Sequence, residues 1–331
     1  MRKPLPSWTD GAASEAIIQF VRRVCNPGSP AYVPPDERVA VFDSDGTLWC
    51  EQPASALAYF LLHRLREQPG DHANGVDPRL MRAAQRSDIS AFQRLDLEHL
   101  SELVLHASEG LTPEQFVAQA HAFLARTLHP RFGVPFGKLS YWPMLELLAY
   151  LQDKGFRPFI VTGGGVEFVR AASEELYGVP SERVAGATVD YAFERLDGKI
   201  LMIRTRTLLG EPGEGEAKVQ AIQQRIGRRP ILAAGNSLGD REMLEYTRSG
   251  QNASLCLVVD HDDALREYAY TEPGLRDSLL LDQCIAISMQ RDFRRVFAQR
   301  LSRRRSRAHP PASPAPFHHM EPIRLRPDSP V

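Results

Sequence analysis

The chain has 331 residues and a net charge of −1, with 43% hydrophobic and 24% charged residues. This size and balance predict about two domains of a globular, water-soluble protein. No run of about 18 uncharged apolar residues occurs, which excludes a membrane-spanning helix. The basic start MRK has no apolar segment behind it, so no secretory signal is read and a cytoplasmic protein is expected.

Taken in chain order, the first informative segment is ERVAVFDSDGTLWC, residues 37–50. The apolar run Val39–Phe42 stops abruptly at acids and a glycine, as a buried parallel strand does when it ends in a loop. Cys50 closes the segment. The four cysteines, Cys25, Cys50, Cys256 and Cys284, show no C-x-x-C pair and no zinc-ligand spacing, so buried free thiols are expected.

From about Pro53 to Phe136 the pattern turns helical and strand runs vanish. Thr112-Pro113-Glu114-Gln115 spells a capping box with proline at the first helical position. Phe116, Ala120, Phe123 and Leu124 follow as an apolar stripe. His99 and His106 fall on a helical pattern and are read as surface or packing residues. Pro143–Asp153 then predicts a helix, with Gly155 beyond its end.

Strands and helices alternate from there on. Arg157–Gly165 (RPFIVTGGG) predicts a strand, Val166–Tyr177 a helix, and Leu196-Asp197-Gly198-Lys199 a hairpin turn. The glycine-rich loop Gly210–Gly215 leads into a helix over Ala217–Ile226. Two further strands, in Pro230–Gly239 (PILAAGNSLG) and Leu255–Asp263 (LCLVVDHDD), end in polar loops. Alternation of this kind predicts an α/β fold with a parallel sheet covered on both faces. Right-handed crossovers bring the strand ends to one edge, where open α/β sheets bind ligands. Asp43, Thr162, Asn236, Asp240 and His261 are therefore expected on one rim. His261-Asp262-Asp263 itself reads best as a surface acidic turn.

Arg300–Val331 carries seven arginines and two acids, so this tail is +5 and the remainder −6. Rich in Pro and Ser, it is expected to be disordered and solvated, and nucleic-acid binding is not expected of it. Of 40 basic residues only five are lysine, which draws the eye to Lys218.

The chemistry concentrates at strand ends. Asp43 and Asp45 lie two residues apart, so different environments can separate their pKa values and divide nucleophile from proton carrier. A carboxylate can attack phosphorus to form an acyl-phosphate, given a cation and donors to offset the phosphoryl charge. Thr162 offers a hydroxyl, Gly163–Gly165 offer backbone amides, and Lys218 offers an ammonium. Asn236 and Asp240 offer oxygen ligands of the kind magnesium prefers.

These segments resemble the four motifs of the haloacid dehalogenase-like hydrolase superfamily, in particular its phosphoserine-phosphatase-like branch. The matching residues are Asp43-Ser44-Asp45-Gly46-Thr47, Ile160-Val161-Thr162-Gly163, Lys218, and Gly235-Asn236-Ser237-Leu238-Gly239-Asp240. The resemblance implies a Rossmann-like core over 1–52 and 137–300, a helical cap over 53–136 and a tail over 301–331. It implies a Mg2+-dependent phosphatase acting on a small-molecule phosphate monoester. Asp43 is then the nucleophile and Asp45 the general acid/base, while Thr162, Gly163 and Lys218 hold the phosphate. The Asp43 carboxylate, the Asp45 carbonyl, Asn236 and Asp240 face the metal, Asp240 directly or through water. Many members carry aspartate at the position of Asn236, so the amide removes one negative charge from the metal site. Asp45 favours phosphate ester over carbon–halogen cleavage.

Glu51, eight residues beyond Asp43, is a candidate for contacting a substrate amine, with a solvated acid as the alternative. Gly235–Gly239 also fits G-x-S-x-G, which would make Ser237 the nucleophile of an esterase with His261 as its base. A third possibility is a binding protein that keeps the fold without catalysis.

Overall fold

The computed structural model describes residues 3–67, 76–270, 275 and 283–301. The expected tail lies outside the described residues apart from Leu301, whose side chain packs against the core.

Strand β1 (Val39–Phe42) is buried along its whole length and lies inside the sheet. The helix over Ala12–Cys25 (α1) precedes it. After β1 come α2 (Ala56–Glu67), α3 (Pro78–Gln85), α4 (Leu97–Ser108) and α5 (Pro113–Arg126). The chain continues through α6 (Trp142–Asp153), β2 (Arg157–Val161), α7 (Val166–Tyr177), β3 (Val184–Ala185), β4 (Thr188–Leu196) and β5 (Lys199–Leu209). It ends with α8 (Glu216–Arg225), β6 (Leu232–Gly235), α9 (Arg241–Arg248), β7 (Leu255–Asp262), β8 (Ala269–Tyr270), β9 (Ile285–Ser288) and the short helix α10 (Met289–Asp292).

The main sheet runs β3-β2-β1-β6-β7, and both β8 and β9 pair with β7. Every pairing is parallel except that of β7 with β8. Side chains of β1 alternate between two cores, as the period of a strand requires. Val39 and Val41 join Ile222 of α8 and Met243 of α9. Ala40 and Phe42 join Ile17 of α1, Leu147 of α6 and Phe168 of α7. Burial on both faces explains why β1 reads as a continuous apolar run.

The segment between β1 and β2 is helical, as its sequence pattern predicts. Phe60 of α2 lies 5.1 Å from Phe168 of α7 and 5.7 Å from Phe116 of α5, ring centre to ring centre. The Thr112–Gln115 capping box forms, and Phe116, Ala120, Phe123 and Leu124 are buried. Strands β4 and β5 form a separate two-stranded sheet. Asp197 and Gly198 at its turn have φ of 49° and 76°, the left-handed pair a tight hairpin needs. The hairpin is tied to the α4–α5 connection, where Arg204 N donates to Leu111 O (2.9 Å) and Gly110 N to Arg204 O (3.0 Å). Among the described residues no helix is long and apolar enough to cross a membrane.

Candidate active site

The chain leaves β1 toward β2 on one side and returns to β6 on the other. A crevice therefore opens between β1 and β6 at their C-terminal ends. Asp43 N extends the ladder by donating to Ala234 O at 2.9 Å, which sets the Asp43 side chain beside the loop after β6. A cavity of about 280 Å³ lies there, lined in part by Asp43, Asp45, Glu51, Thr162, Gly163, Lys218, Asn236 and His261. Of the five residues expected on one rim, only Asp240 is absent from the described lining.

Lys218 explains where Asp240 is. Its buried ammonium lies 2.7 Å from Asp43 Oδ1 and 2.6 Å from Asp240 Oδ1. The other oxygen of Asp240 accepts from the backbone N–H of Asn236 (2.9 Å) and of Ser237 (3.1 Å). Asp240 is fully buried and both its oxygens are engaged, so it braces the turn after β6 from behind Lys218. Burial opposes the charge on Lys218, but Asp240 and Asp43 outweigh it and hold the ammonium above its usual range. Burial and the charge of Asp240 push the Asp43 carboxyl well up, against the pull of Lys218. Burial likewise raises Asp45, while Trp49 Nε1, donating to Asp45 Oδ1 at 2.7 Å, and Lys218 oppose it.

Glycines let the phosphate-side loops approach one another. A Cβ at Gly163 would lie 2.7 Å from Leu97 Cδ2 and 2.8 Å from Gly213 O. Leu97, at the start of α4, thereby lines the cavity, while Gly213 N donates to Gly163 O (3.0 Å) and Gly215 N to Gly239 O (2.8 Å). Thr162 is buried and its hydroxyl is 3.0 Å from Gly164 O.

The opposite flank is built from Glu51, His261, Glu267 and Tyr270. His261 is 2% and Asp263 2% exposed, so the acidic-turn reading of His261–Asp263 does not hold. The β7–β8 pairing folds this segment back, with His261 opposite Tyr270, and stacks their rings 4.2 Å apart. His261 Nε2 lies 2.8 Å from Gly46 O, and Nδ1 lies 3.3 Å from Glu267 Oε2. A carbonyl only accepts, so Nε2 carries a proton and holds the loop after β1. With both ring nitrogens committed in this way, His261 is not placed as a base for Ser237. The Ser237 hydroxyl is instead 3.2 Å from Asp240 Oδ2, which opposes the esterase reading. Tyr270 OH donates to Glu51 Oε1 at 2.6 Å, and Asn236 Nδ2 donates to the same oxygen at 3.0 Å. Burial pushes Glu51 up to about 7, against the Tyr270 hydrogen bond.

The all-oxygen donor set suits a hard dication. Five carboxylates line the cavity (Asp43, Asp45, Glu51, Glu214 and Asp260), and Lys218 is the single lysine among the described lining residues. No three Asp, Glu, His or Cys side chains converge as a ready-made metal cluster among the described residues. A set of one carboxylate, one backbone carbonyl and one amide oxygen would not form such a cluster. The residues present therefore fit a hard divalent cation held partly by backbone, amide and water oxygen.

Residues 40–245 match the model of the haloacid dehalogenase-like hydrolases. The chain belongs to this hydrolase family. Its fold is similar to that of a functionally unknown protein from Anaerococcus prevotii, at 18% identity and a TM-score of 0.52, covering 85% of this chain and 92% of that one. Weaker likenesses include a protein of unknown function from Bordetella pertussis (19% identity, TM-score 0.47, 76% of this chain and 98% of that one). Another is a phosphoserine phosphohydrolase-like protein from Francisella tularensis (16% identity, TM-score 0.40, 77% of this chain and 95% of that one). No curated protein matches the sequence significantly.

Sequence reasoning missed Trp49, Glu267 and Tyr270. Trp49 carries a weak signal, four residues beyond Asp45 in the same turn. Glu267 and Tyr270 carry none, because only the β7–β8 pairing brings them in.

Proposed function

We propose that this hydrolase is a magnesium-dependent phosphatase that cleaves a small phosphate monoester through an aspartyl-phosphate on Asp43. The observation that carries the reading is the bridge of Lys218 to Asp43 in the lining of a cavity that also holds Asp45 and Thr162. Lys218 holds one oxygen of Asp43 and leaves the other to attack phosphorus. The phosphoryl group moves to that oxygen as the ester bond breaks, and Asp45 gives its proton to the departing alkoxide. Asp45 then takes a proton from the water that hydrolyses the acyl-phosphate, which restores both carboxyl groups. A carboxyl whose pKa is raised by burial suits this exchange.

Thr162, the Gly163 amide and Lys218 are placed to bind the phosphoryl oxygens. Magnesium, held by the Asp43 carboxylate, the Asp45 carbonyl and Asn236, would offset phosphoryl charge during transfer. Asp240, with both its oxygens engaged by Lys218 and its own turn, would face the ion through water and not directly. We take residues 53–136 as a cap on a core formed by 1–52 and 137–300. Leu97 at the cavity wall supports that division and points to the cap as a selector of substrates. The cavity volume of about 280 Å³ supports a small substrate.

The test is hydrolysis of a panel of phosphate monoesters by the purified full chain with magnesium and with excess chelator. Turnover that chelator abolishes supports the reading, and absence of turnover on every ester with magnesium present rejects it.

A further inference from the structure

Asn236 leaves the metal site one negative charge short of its common form, yet a carboxylate lies directly against it. Glu51 Oε1 accepts from Asn236 Nδ2 at 3.0 Å and from Tyr270 OH at 2.6 Å. The carboxylate also fixes which way the amide faces. Its nitrogen must meet the carboxylate, so its oxygen meets Thr47 Oγ1, which donates to it at 3.0 Å. That oxygen keeps a second lone pair. Glu51 Oε2 accepts no hydrogen bond among the described residues, and Glu51 lines the cavity.

The loop after β1 closes over this pair. Gly46 has φ +72°, and a Cβ there would lie 2.1 Å from Asn236 Nδ2 and 2.5 Å from Glu51 Oε1. Glu51 therefore sits against the backbone between Asp45 and Thr47, on the stretch that would supply a carbonyl ligand. Its placement is enforced from three sides: Tyr270 from the β7–β8 hairpin, Asn236 from the end of β6, and Gly46 from the loop itself. A side chain held by two fixed donors and packed against the loop backbone is not a freely solvated acid.

Resting on the magnesium-phosphatase reading, we infer that Glu51 supplies the carboxylate charge that Asn236 does not, through its free Oε2 to the dication or to a water bound on it. The metal-site charge has thus moved from the end of β6 to the entry of the helical segment, where Asn236 and Tyr270 hold it in place. This also changes the expectation for Asn236→Asp. On the sequence alone an added charge tightens magnesium. In the structure the new carboxylate would lie about 3.0 Å from Glu51, and repulsion between the two oxygens cancels most of the gain.

The decisive experiment is calorimetric titration of Mg2+ into the metal-free full chain, which needs no turnover. Glu51→Gln keeps the acceptor oxygen for Tyr270 and Asn236 but removes the charge, and it should weaken magnesium about ten- to a hundred-fold. Asn236→Asp alone should not tighten it by more than a few-fold. The double variant Glu51→Gln/Asn236→Asp restores one carboxylate beside one amide with the hydrogen bond reversed, and it should recover most of the wild-type affinity. Circular dichroism melts of the same samples confirm folding.

An unchanged magnesium affinity in folded Glu51→Gln overturns the inference. So does failure of the double variant to recover affinity, and so does a wild type that binds no magnesium. A Glu51→Gln that binds magnesium normally but shows raised KM for O-phosphoserine or phosphoethanolamine assigns Glu51 to a substrate ammonium and likewise overturns it. Inactivity of the wild type on every phosphate ester rejects the phosphatase reading instead, and the titrations still decide the role of Glu51.

Discussion

The two flanks of the loop after β1 are built from different parts of the chain. On one flank Lys218, in the first turn of α8, joins Asp43 at the end of β1 to Asp240 in the turn between β6 and α9. On the other, Glu51 meets Asn236 and Tyr270, and His261 meets Gly46 and Glu267. The Lys218 flank is a buried ion pair with charges in direct contact. The Glu51 flank is a relay of hydrogen bonds with the hairpin β7–β8 as its support. The difference teaches that the motif-bearing side concentrates paired charge beside the cavity, whereas the other side holds the loop with hydrogen bonds from the β7–β8 hairpin and the end of β6.

The largest effects are expected at the residues both flanks serve. Asp43→Asn should lose turnover altogether, since a neutral amide is a poor nucleophile. Asp45→Asn should slow formation and breakdown of the phosphoenzyme by about 100-fold or more. Single-turnover kinetics with unchanged rates for both steps would remove Asp45 from that role.

Next come the flanks themselves, compared in one denaturation series. Lys218→Met leaves Asp43 and Asp240 buried without their cation, and it should cost about 3–5 kcal/mol of folding stability. Tyr270→Phe removes one hydrogen bond to Glu51 and should cost about 1–3 kcal/mol. Equal losses in the two variants would erase the distinction between an ion-paired and a hydrogen-bonded flank.

The smallest effect concerns the chain just beyond Glu51. His129 Nε2 lies 2.7 Å from Gln52 O, and Nδ1 accepts from Arg131 N at 3.2 Å. The neutral ring satisfies both partners, and burial lowers its pKa from 6.5 to about 4. A histidine kept neutral by folding binds a proton more readily in the unfolded chain. Its contribution to stability is therefore full above about pH 6.5 and is lost as pH falls toward 4. His129→Gln should show a shallower fall in melting temperature than wild type between pH 7 and pH 4.5, a window set by the same linkage. Parallel curves would show that His129 does not exclude the proton.

Much of the fold was legible because local periodicity and punctuation carry it. Val166–Tyr177 ends before Gly178, which adopts φ 65° as its left-handed cap. Asp197-Gly198 turns the hairpin as its sequence demands. The apolar run Val39–Phe42 is buried on both faces. Asp43, Thr162, Lys218 and Asn236 were legible too, since each follows a strand end or starts a helix, and parallel topology gathers such positions at one edge.

Other features were decided only in three dimensions. Asp240 reads as a metal-site acid, yet the two N–H groups of its own turn and Lys218 engage both its oxygens. His261 reads as part of a surface turn because two acids follow it, yet antiparallel pairing with Tyr270 buries it. Glu51 reads as an isolated acid because its partners stand 185 and 219 residues away. Periodicity reports which way a side chain faces on its own element, through burial of that element's apolar side. It carries no record of which distant donor will fill a carboxylate's lone pairs, and that choice is made when the strand ends and the β7–β8 hairpin close around the loop.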